Sequence, residues 1–256
     1  MSCAIGPAAT RCTPSSPAPN AASGSTPATS TPRPAADPPG QTAAVEQAAF
    51  PPGFFERADP SPDAAFYSWP RLVTHIDDAA IAAVGALYDD LAIAGTVLDL
   101  MGSWVSHFRR APAHLTVLGM NAEELAANSQ ASASVVHDLN QSPRLPFAPD
   151  SFDAVVCCVS VDYLTRPVQV FADVARVLRS GGPFVCTFSN RCFPTRAIRG
   201  WLYATDEQHC DIVARYFRLG GGWGDPVVER RTPPNHRGDP LFAVWAYRLG
   251  TTDAGS

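Results

Sequence analysis

Residues 95–107, Gly-Thr-Val-Leu-Asp-Leu-Met-Gly-Ser-Trp-Val-Ser-His, run from a short apolar stretch through the carboxylate of Asp99 into a turn of small residues. In open α/β sheets, ligands sit beyond the carboxyl ends of the strands, and glycines in the first turn let backbone N–H groups approach them. This is the layout of a strand delivering a nucleotide-like ligand to a loop. The turn keeps Gly102 and Ser103 but carries Met101, Trp104 and Val105 where a glycine-rich loop would be open, so the site is a modified one.

The elements that would position this loop alternate along the chain. A helical period over Ile76–Ala92 places Ile76, Ala80, Val84 and Tyr88 on one face, with Asp77 and Asp78 at its amino end, where carboxylates suit the helix dipole. Strands are expected at Val97–Leu100, Leu115–Leu118, Ser134–His137, Phe152–Val159 and Phe184–Phe188. Helices are expected at Ala122–Ala127 and Val168–Leu178, with a turn over 180–183. Such alternation argues for βαβ units and a parallel sheet. The tail differs: a helix over Asp206–Phe217 is followed by strands at Pro226–Glu229 and Leu241–Tyr247 with no helix between them, which makes that pair antiparallel. The expected architecture is a doubly wound, Rossmann-like α/β fold with a seven-stranded sheet, six strands parallel and the last inserted antiparallel.

Composition narrows the function classes. The 256-residue chain has a formal net charge of −5, and all 19 of its basic residues are arginine. With acids in excess and no basic run, a phosphate-backbone partner has little electrostatic support, and nucleic acid is not expected. Seven cysteines, at 3, 12, 157, 158, 186, 192 and 210, show no C-x-x-C spacing, so neither a disulfide scaffold nor a zinc site is indicated and no metal is expected. No apolar run is long enough to span a membrane. Residues 1–45 are rich in Ala, Pro, Ser and Thr with no acid before Asp37, and are expected to be a disordered head preceding one domain over 46–256. The head's Ser-rich, acid-poor start suits an organelle transit peptide, while its prolines suit a plain linker. The expected location is soluble and intracellular, chloroplast with a transit peptide and cytoplasmic without one. The oligomeric state is not legible.

Three stretches carry a family resemblance: Leu145-Pro-Phe147, Ser151-Phe-Asp-Ala-Val155 and Val177-Leu-Arg-Ser-Gly-Gly182. Together with the strand endings and the terminal hairpin, they resemble class I S-adenosylmethionine-dependent methyltransferases of type 11. Pro70-Arg-Leu-Val-Thr-His-Ile-Asp77, Ser103-Trp-Val-Ser-His107, Gly119-Met-Asn-Ala-Glu-Glu-Leu125, Asp138-Leu-Asn140, Val159-Ser-Val-Asp-Tyr-Leu164 and Phe188-Ser-Asn-Arg-Cys-Phe193 are similar to a subgroup of plants, algae and cyanobacteria. The resemblance covers roughly residues 66–248.

The resemblance implies S-adenosylmethionine as cofactor and assigns residues to it. Asp99, Met101, Gly102 and Ser103 would face its methionine portion; Asn121, where the common pattern has an acid, its ribose; and Asp138, Leu139 and Asn140 its adenine. A strand-end cap for Asp99 and local turn chemistry for Asp138 and Asn140 are the other readings. Asn121 keeps one acceptor oxygen but brings an NH₂ donor in place of the second. Glu123 or Glu124 would substitute if the turn bent back; otherwise both belong to a solvated first helical turn.

Methyl transfer needs mainly an in-line approach, so positioning supplies most of the rate, and a base is required only for a protonated nucleophile. Candidates for the acceptor side lie after the later strands: Asp162 as a base, Tyr163 to orient the acceptor, and Asn190 and Arg191 to bind a polar or anionic group. Each has a structural alternative, respectively a helix cap, a packing aromatic, a turn former and a surface ion pair. Cys192 has no activating neighbour in sequence, and His75, His107 and His209 lie in different segments without zinc spacing. The aromatic-rich stretch at 50–70 is expected to form part of a lid. The expected function is methylation of a small molecule; the alternative is a degenerate methyltransferase-like domain with a binding role. A nicotinamide dehydrogenase is disfavoured because residues 101–105 lack the spaced glycines of that fingerprint.

Overall fold

The computed structural model describes residue 45 and residues 48–250. The expectations for the head, whether disorder or targeting, lie outside the described residues, save its last residue.

Seven strands form one sheet: β1 (Thr96–Leu100), β2 (His114–Gly119), β3 (Ala133–Val136), β4 (Ala154–Cys158), β5 (Pro183–Phe188), β6 (Val227–Arg230) and β7 (Phe242–Tyr247). Their spatial order is β3-β2-β1-β4-β5-β7-β6. β1 to β5 pair in parallel, and β7 runs antiparallel to both β5 and β6, so six strands share one direction and β7 is inserted against them. This is the doubly wound, Rossmann-like arrangement expected from the sequence. The order reverses between β1 and β4, and at such a switch point the two following loops diverge and leave a crevice.

Alternate side chains of each central strand feed two separate cores, because successive residues of a strand point to opposite faces. Leu98, Leu100, Val155, Cys157, Phe184 and Val244 pack on one side, and Val97, Val156, Val185, Ala243 and Trp245 on the other. The first core is covered by α4 (Pro167–Val177) and α6 (Asp206–Gly220), the second by α2 (Asp78–Asp90). Each helix begins where its sequence says it should. Asp77 accepts from the Ala80 amide at the start of α2. Pro167 opens α4, where a missing N–H costs nothing. Thr205 and Gln208 form a reciprocal capping box at the start of α6. The rings of Phe171, Phe184, Tyr216 and Phe217 interlock between α4, α6 and β5.

Two four-residue helices, α1 (Asp63–Phe66) and α5 (Arg199–Leu202), were not expected from periodicity, which needs longer windows to register. α1 belongs to the aromatic segment that leads into the domain, and a latch ties that segment down. The guanidinium of Arg196, fully buried, bonds Asp63, the Asp59 carboxylate at 2.9 Å and the Ser61 carbonyl at 3.0 Å. Arg57 holds the same Asp63 at 2.6 Å. The segment is thereby fixed across the carboxyl ends of the strands.

Candidate functional site

A cavity of about 280 Å³ opens at the carboxyl ends of β1 to β4, bounded by the loops that follow them and by the entry segment. Its position is set by the sheet, because only at the switch point do the loops after β1 and β4 part.

The loop after β1 supplies the floor. Asp99, only 2% exposed, lines the cavity, and burial pushes its carboxyl up to about 7. A hydrogen bond from Ser106 opposes that rise in part, and Asn128 in turn donates to the Ser106 hydroxyl at 2.8 Å and to the Ser103 carbonyl at 2.9 Å. Met101 adopts φ 57, the left-handed region that glycine occupies cheaply and other residues seldom. The loop therefore keeps a glycine-like backbone path without the glycine, at a conformational cost of about 1–2 kcal/mol. Gly102 is required by packing: a Cβ there would meet Val117 Cγ1 at 2.6 Å. Gly119, at the end of β2, is required likewise, since its Cβ would lie 2.2 Å from the Gly102 carbonyl.

Asn121 does not take the place expected of it. It caps α3 (Ala122–Ala127): its Oδ1 accepts from the amides of Glu123 at 2.9 Å and Glu124 at 3.1 Å, while its Nδ2 donates to the Tyr67 carbonyl at 2.9 Å. An amide at a helix start finds these partners locally, so its polar atoms are spent on the backbone, and the side chain is not part of the cavity wall. Glu124 stands in the wall instead. It is 7% exposed; its Oε1 accepts from the Arg71 amide at 2.7 Å and its Oε2 from the Ser103 hydroxyl at 2.6 Å. One carboxylate thus joins the entry segment to the loop after β1. The solvated reading of this residue does not hold.

After β3, the two readings of Asp138 divide between its two oxygens. Oδ1 makes the local turn, accepting from the amides of Asn140 at 2.9 Å and Gln141 at 3.1 Å. Oδ2 is buried at the cavity with no partner. Leu139 is buried beside it and lines the same wall. Asn140 is a buttress: its Nδ2 donates to Asp63 at 2.8 Å and the Tyr163 carbonyl at 3.0 Å, and its Oδ1 accepts from the Thr165 amide at 2.7 Å.

The later strands contribute less than expected. Asp162 is buried and is not part of the cavity lining; burial pushes its carboxyl up to about 8, and its Oδ2 has no partner. It is therefore not placed to act as the base. Asn190 is exposed outside the cavity, accepting a 3.3 Å bond from Ser189, as a turn former would. Tyr163 does line the cavity, and its hydroxyl accepts from the Phe193 amide at 2.9 Å. Arg191 also reaches it, with Nε donating to Asp239 Oδ1 at 2.8 Å. Asp239 is itself locked to Asp77 by reciprocal backbone-to-carboxylate bonds of 3.0 and 2.8 Å.

Sequence separation hid two histidines. His75 and His107 both line the cavity, and the proximity of their rings adds to the burial that lowers His107 below the usual imidazole value. His209 is elsewhere, stacked on Trp201 at 3.9 Å. The one hint was that His75 and His107 each fall in a string that resembles the same subgroup.

Among the described residues, no helix is long and apolar enough to cross a membrane. No curated protein matches the chain. Among solved structures, an S-adenosylmethionine-dependent methyltransferase from Mesorhizobium loti is 17% identical, covering 61% of this chain and 92% of that one, with a TM-score of 0.43. The PH0226 protein from Pyrococcus horikoshii is 13% identical over 72% of this chain and 98% of that one, with a TM-score of 0.49. Phosphoethanolamine N-methyltransferase 2 from Haemonchus contortus, solved with S-adenosyl-L-methionine, is 15% identical over 68% of this chain and 58% of that one, with a TM-score of 0.44. Residues 100–186, which run from the end of β1 into β5 and include the Glu124 and Asp138 walls, match the family described as a methyltransferase domain.

Proposed function

We propose that the chain is an S-adenosylmethionine-dependent methyltransferase acting on a small molecule. The observation that carries this reading is the unpartnered Asp138 Oδ2 beside the buried Leu139, within a stretch that matches a methyltransferase domain. A buried acceptor without a donor is costly, and a ligand amine next to an apolar wall satisfies it. When bound, S-adenosylmethionine supplies an electrophilic methyl group on a sulfonium.

The residues present fit such a group. Asp138 Oδ2 would accept from the adenine amine and Leu139 would pack on the base. Each oxygen of Glu124 accepts one protein hydrogen bond, and a carboxylate has about four lone-pair sites, so Glu124 retains capacity for the ribose hydroxyls that Asn121 cannot take. Asp99, with its carboxyl at about 7, ionises readily as an ammonium approaches, and the Gly102 and Ser103 backbone lies along the same wall. A cavity of this size, walled in part by the entry segment, suits a small acceptor.

The second reading, a degenerate domain with a binding role, rests on Met101 in its left-handed conformation and on the diversion of Asn121. Isothermal titration of the full chain with S-adenosylmethionine and S-adenosylhomocysteine decides between them. Saturable binding of both supports the enzyme; a folded chain that binds neither overturns it.

A further inference from the structure

One part of the cavity wall is built from the entry segment and the loop after β5, and its chemistry differs from that of the rest. Phe193 is its centre: its ring lies 5.2 Å from His75, 5.3 Å from Phe66 and 6.0 Å from Tyr163. Arg191 enters the same wall two residues earlier. We infer that this wall is an acceptor subsite for a flat hydroxylated aromatic carboxylate, in which His75 takes the hydroxyl proton and Arg191 holds the carboxylate. The inference rests on the methyltransferase reading above and names the substrate class of that site.

Charge selects against the other common acceptors. An amine that is protonated in water would meet the Arg71 and Arg191 guanidiniums, which both line the cavity. Three of the nearby carboxylates are engaged by the protein, Glu124 by Ser103 and the Arg71 amide, Asp63 by Arg57 and Arg196, and Asp239 by Arg191 and the Asp77 amide, while Asp99 and Asp138 are given to the cofactor in the reading above. A neutral hydroxyl or an anion enters more favourably. Arg191 spends Nε on Asp239, which leaves its terminal nitrogens to take a carboxylate. Tyr67 and Trp104 line the same cavity as Phe193, and a planar ring suits aromatic walls.

His75 has the state a base needs. Partial desolvation lowers its pKa, Glu124 opposes that, and the Arg71 guanidinium adds to it, so the imidazole is neutral near neutral pH. His107 lines the same cavity, and burial and the His75 ring lower it below the usual imidazole value. In the step, the O–H bond breaks with its electron pair left on oxygen, and the proton passes to a ring nitrogen of His75. The imidazolium then releases it to solvent, which this exposed residue meets.

The test uses the full chain saturated with S-adenosylhomocysteine and the probes para-hydroxybenzoate, meta-hydroxybenzoate and para-hydroxycinnamate, with tyramine as the cationic control. At least one hydroxy acid is expected to bind with its ultraviolet band red-shifted by the hydrogen bond from its hydroxyl to neutral His75, the proton itself passing only as the hydroxyl reacts. His75→Phe should return the band to that of the free phenol while S-adenosylhomocysteine still binds. Arg191→Gln should weaken the acid by at least about tenfold. Three results overturn the subsite alone: no binding of any hydroxy acid to the loaded chain, tighter binding of tyramine, or a red-shifted band that survives His75→Phe. Failure of S-adenosylhomocysteine itself to bind overturns the methyltransferase reading and this subsite together.

Discussion

The Ser103 hydroxyl donates to Glu124 Oε2 across 2.6 Å, and this contact joins the loop after β1 to the first turn of α3. The other oxygen of Glu124 takes the Arg71 amide, so three chain segments meet at one buried carboxylate. A charge-assisted bond contributes about 1.5–3 kcal/mol when its partners are held in place. Glu124→Gln keeps the volume but removes the charge and turns one acceptor into a donor facing the Ser103 hydroxyl or the Arg71 amide. Affinity for S-adenosylhomocysteine should fall by about tenfold or more, read by titration calorimetry, with the fold retained by circular dichroism. An unchanged affinity would remove Glu124 from the ribose role.

Much of this framework was legible in the sequence. Val97, Leu98 and Leu100 mark a doubly buried strand whose end puts Asp99 at the crevice, and the helix-free connection between β6 and β7 forces that pair antiparallel. The place of Asp138 just after β3 was legible too, although only the structure separates its turn-making oxygen from the one left at the cavity. Asn121 was not, because an amide at a strand end and an amide at a helix cap look alike until the start of α3 is fixed. Nor was the meeting of His75 with His107, or of Arg196 with Asp63, since such long-range contacts leave no local periodicity.

Asn121→Asp tests the reassignment of that residue directly. Restoring an acid would tighten cofactor binding if the side chain faced ribose. In the structure the aspartate still caps α3 but loses the donor to the Tyr67 carbonyl. Affinity for S-adenosylhomocysteine should stay within about twofold, while stability in urea falls by about 0.5–1.5 kcal/mol, partly offset by the charge at the helix start.

Met101 sets up a contrast between two small substitutions. Met101→Gly relieves the left-handed backbone but gives up packing against the core and adds chain entropy, so its net effect should be within about 1 kcal/mol of zero. Met101→Val keeps an apolar side chain but places a β-branched residue at φ 57, which should cost about 1–3 kcal/mol. Denaturant midpoints for the pair should separate in that order. Equal loss in both would mean that side-chain burial, not backbone conformation, governs the position.

Asp162 predicts a pH dependence whose sign follows from its burial. Its carboxyl is raised to about 8 in the folded chain, against about 3.9 when unfolded, so the fold prefers the neutral form. The stability this group contributes is fully present below about pH 4 and is lost as pH rises through about 8. Asp162→Asn mimics the neutral carboxyl at every pH. The stability difference, variant minus wild type, should therefore grow between about pH 5 and pH 8 by at least about 1 kcal/mol and then level off. A difference that is flat across this range would show that Asp162 ionises in the fold without penalty.

Arg196 supports the most severe expectation. Its guanidinium is completely buried and bonds Asp63, Asp59 and the Ser61 carbonyl, while Asp63 in turn accepts from Asn140 on the loop after β3. Arg196→Met fills much of the same volume but leaves Asp63 buried with Arg57 as its remaining cationic partner. Removing one member of a buried ion pair costs about 3–5 kcal/mol, and the lower end applies here because Arg57 stays. The loss should be local before it is global: residues 57–75 should become sensitive to limited proteolysis while the sheet persists. S-adenosylhomocysteine binding should weaken with it, since Arg71 and Glu124 then lose the fixed segment that brings them together. Wild-type resistance to proteolysis in this segment, despite the substitution, would mean that the aromatic contacts of Phe66 with Tyr67 and Phe193 hold it without the latch.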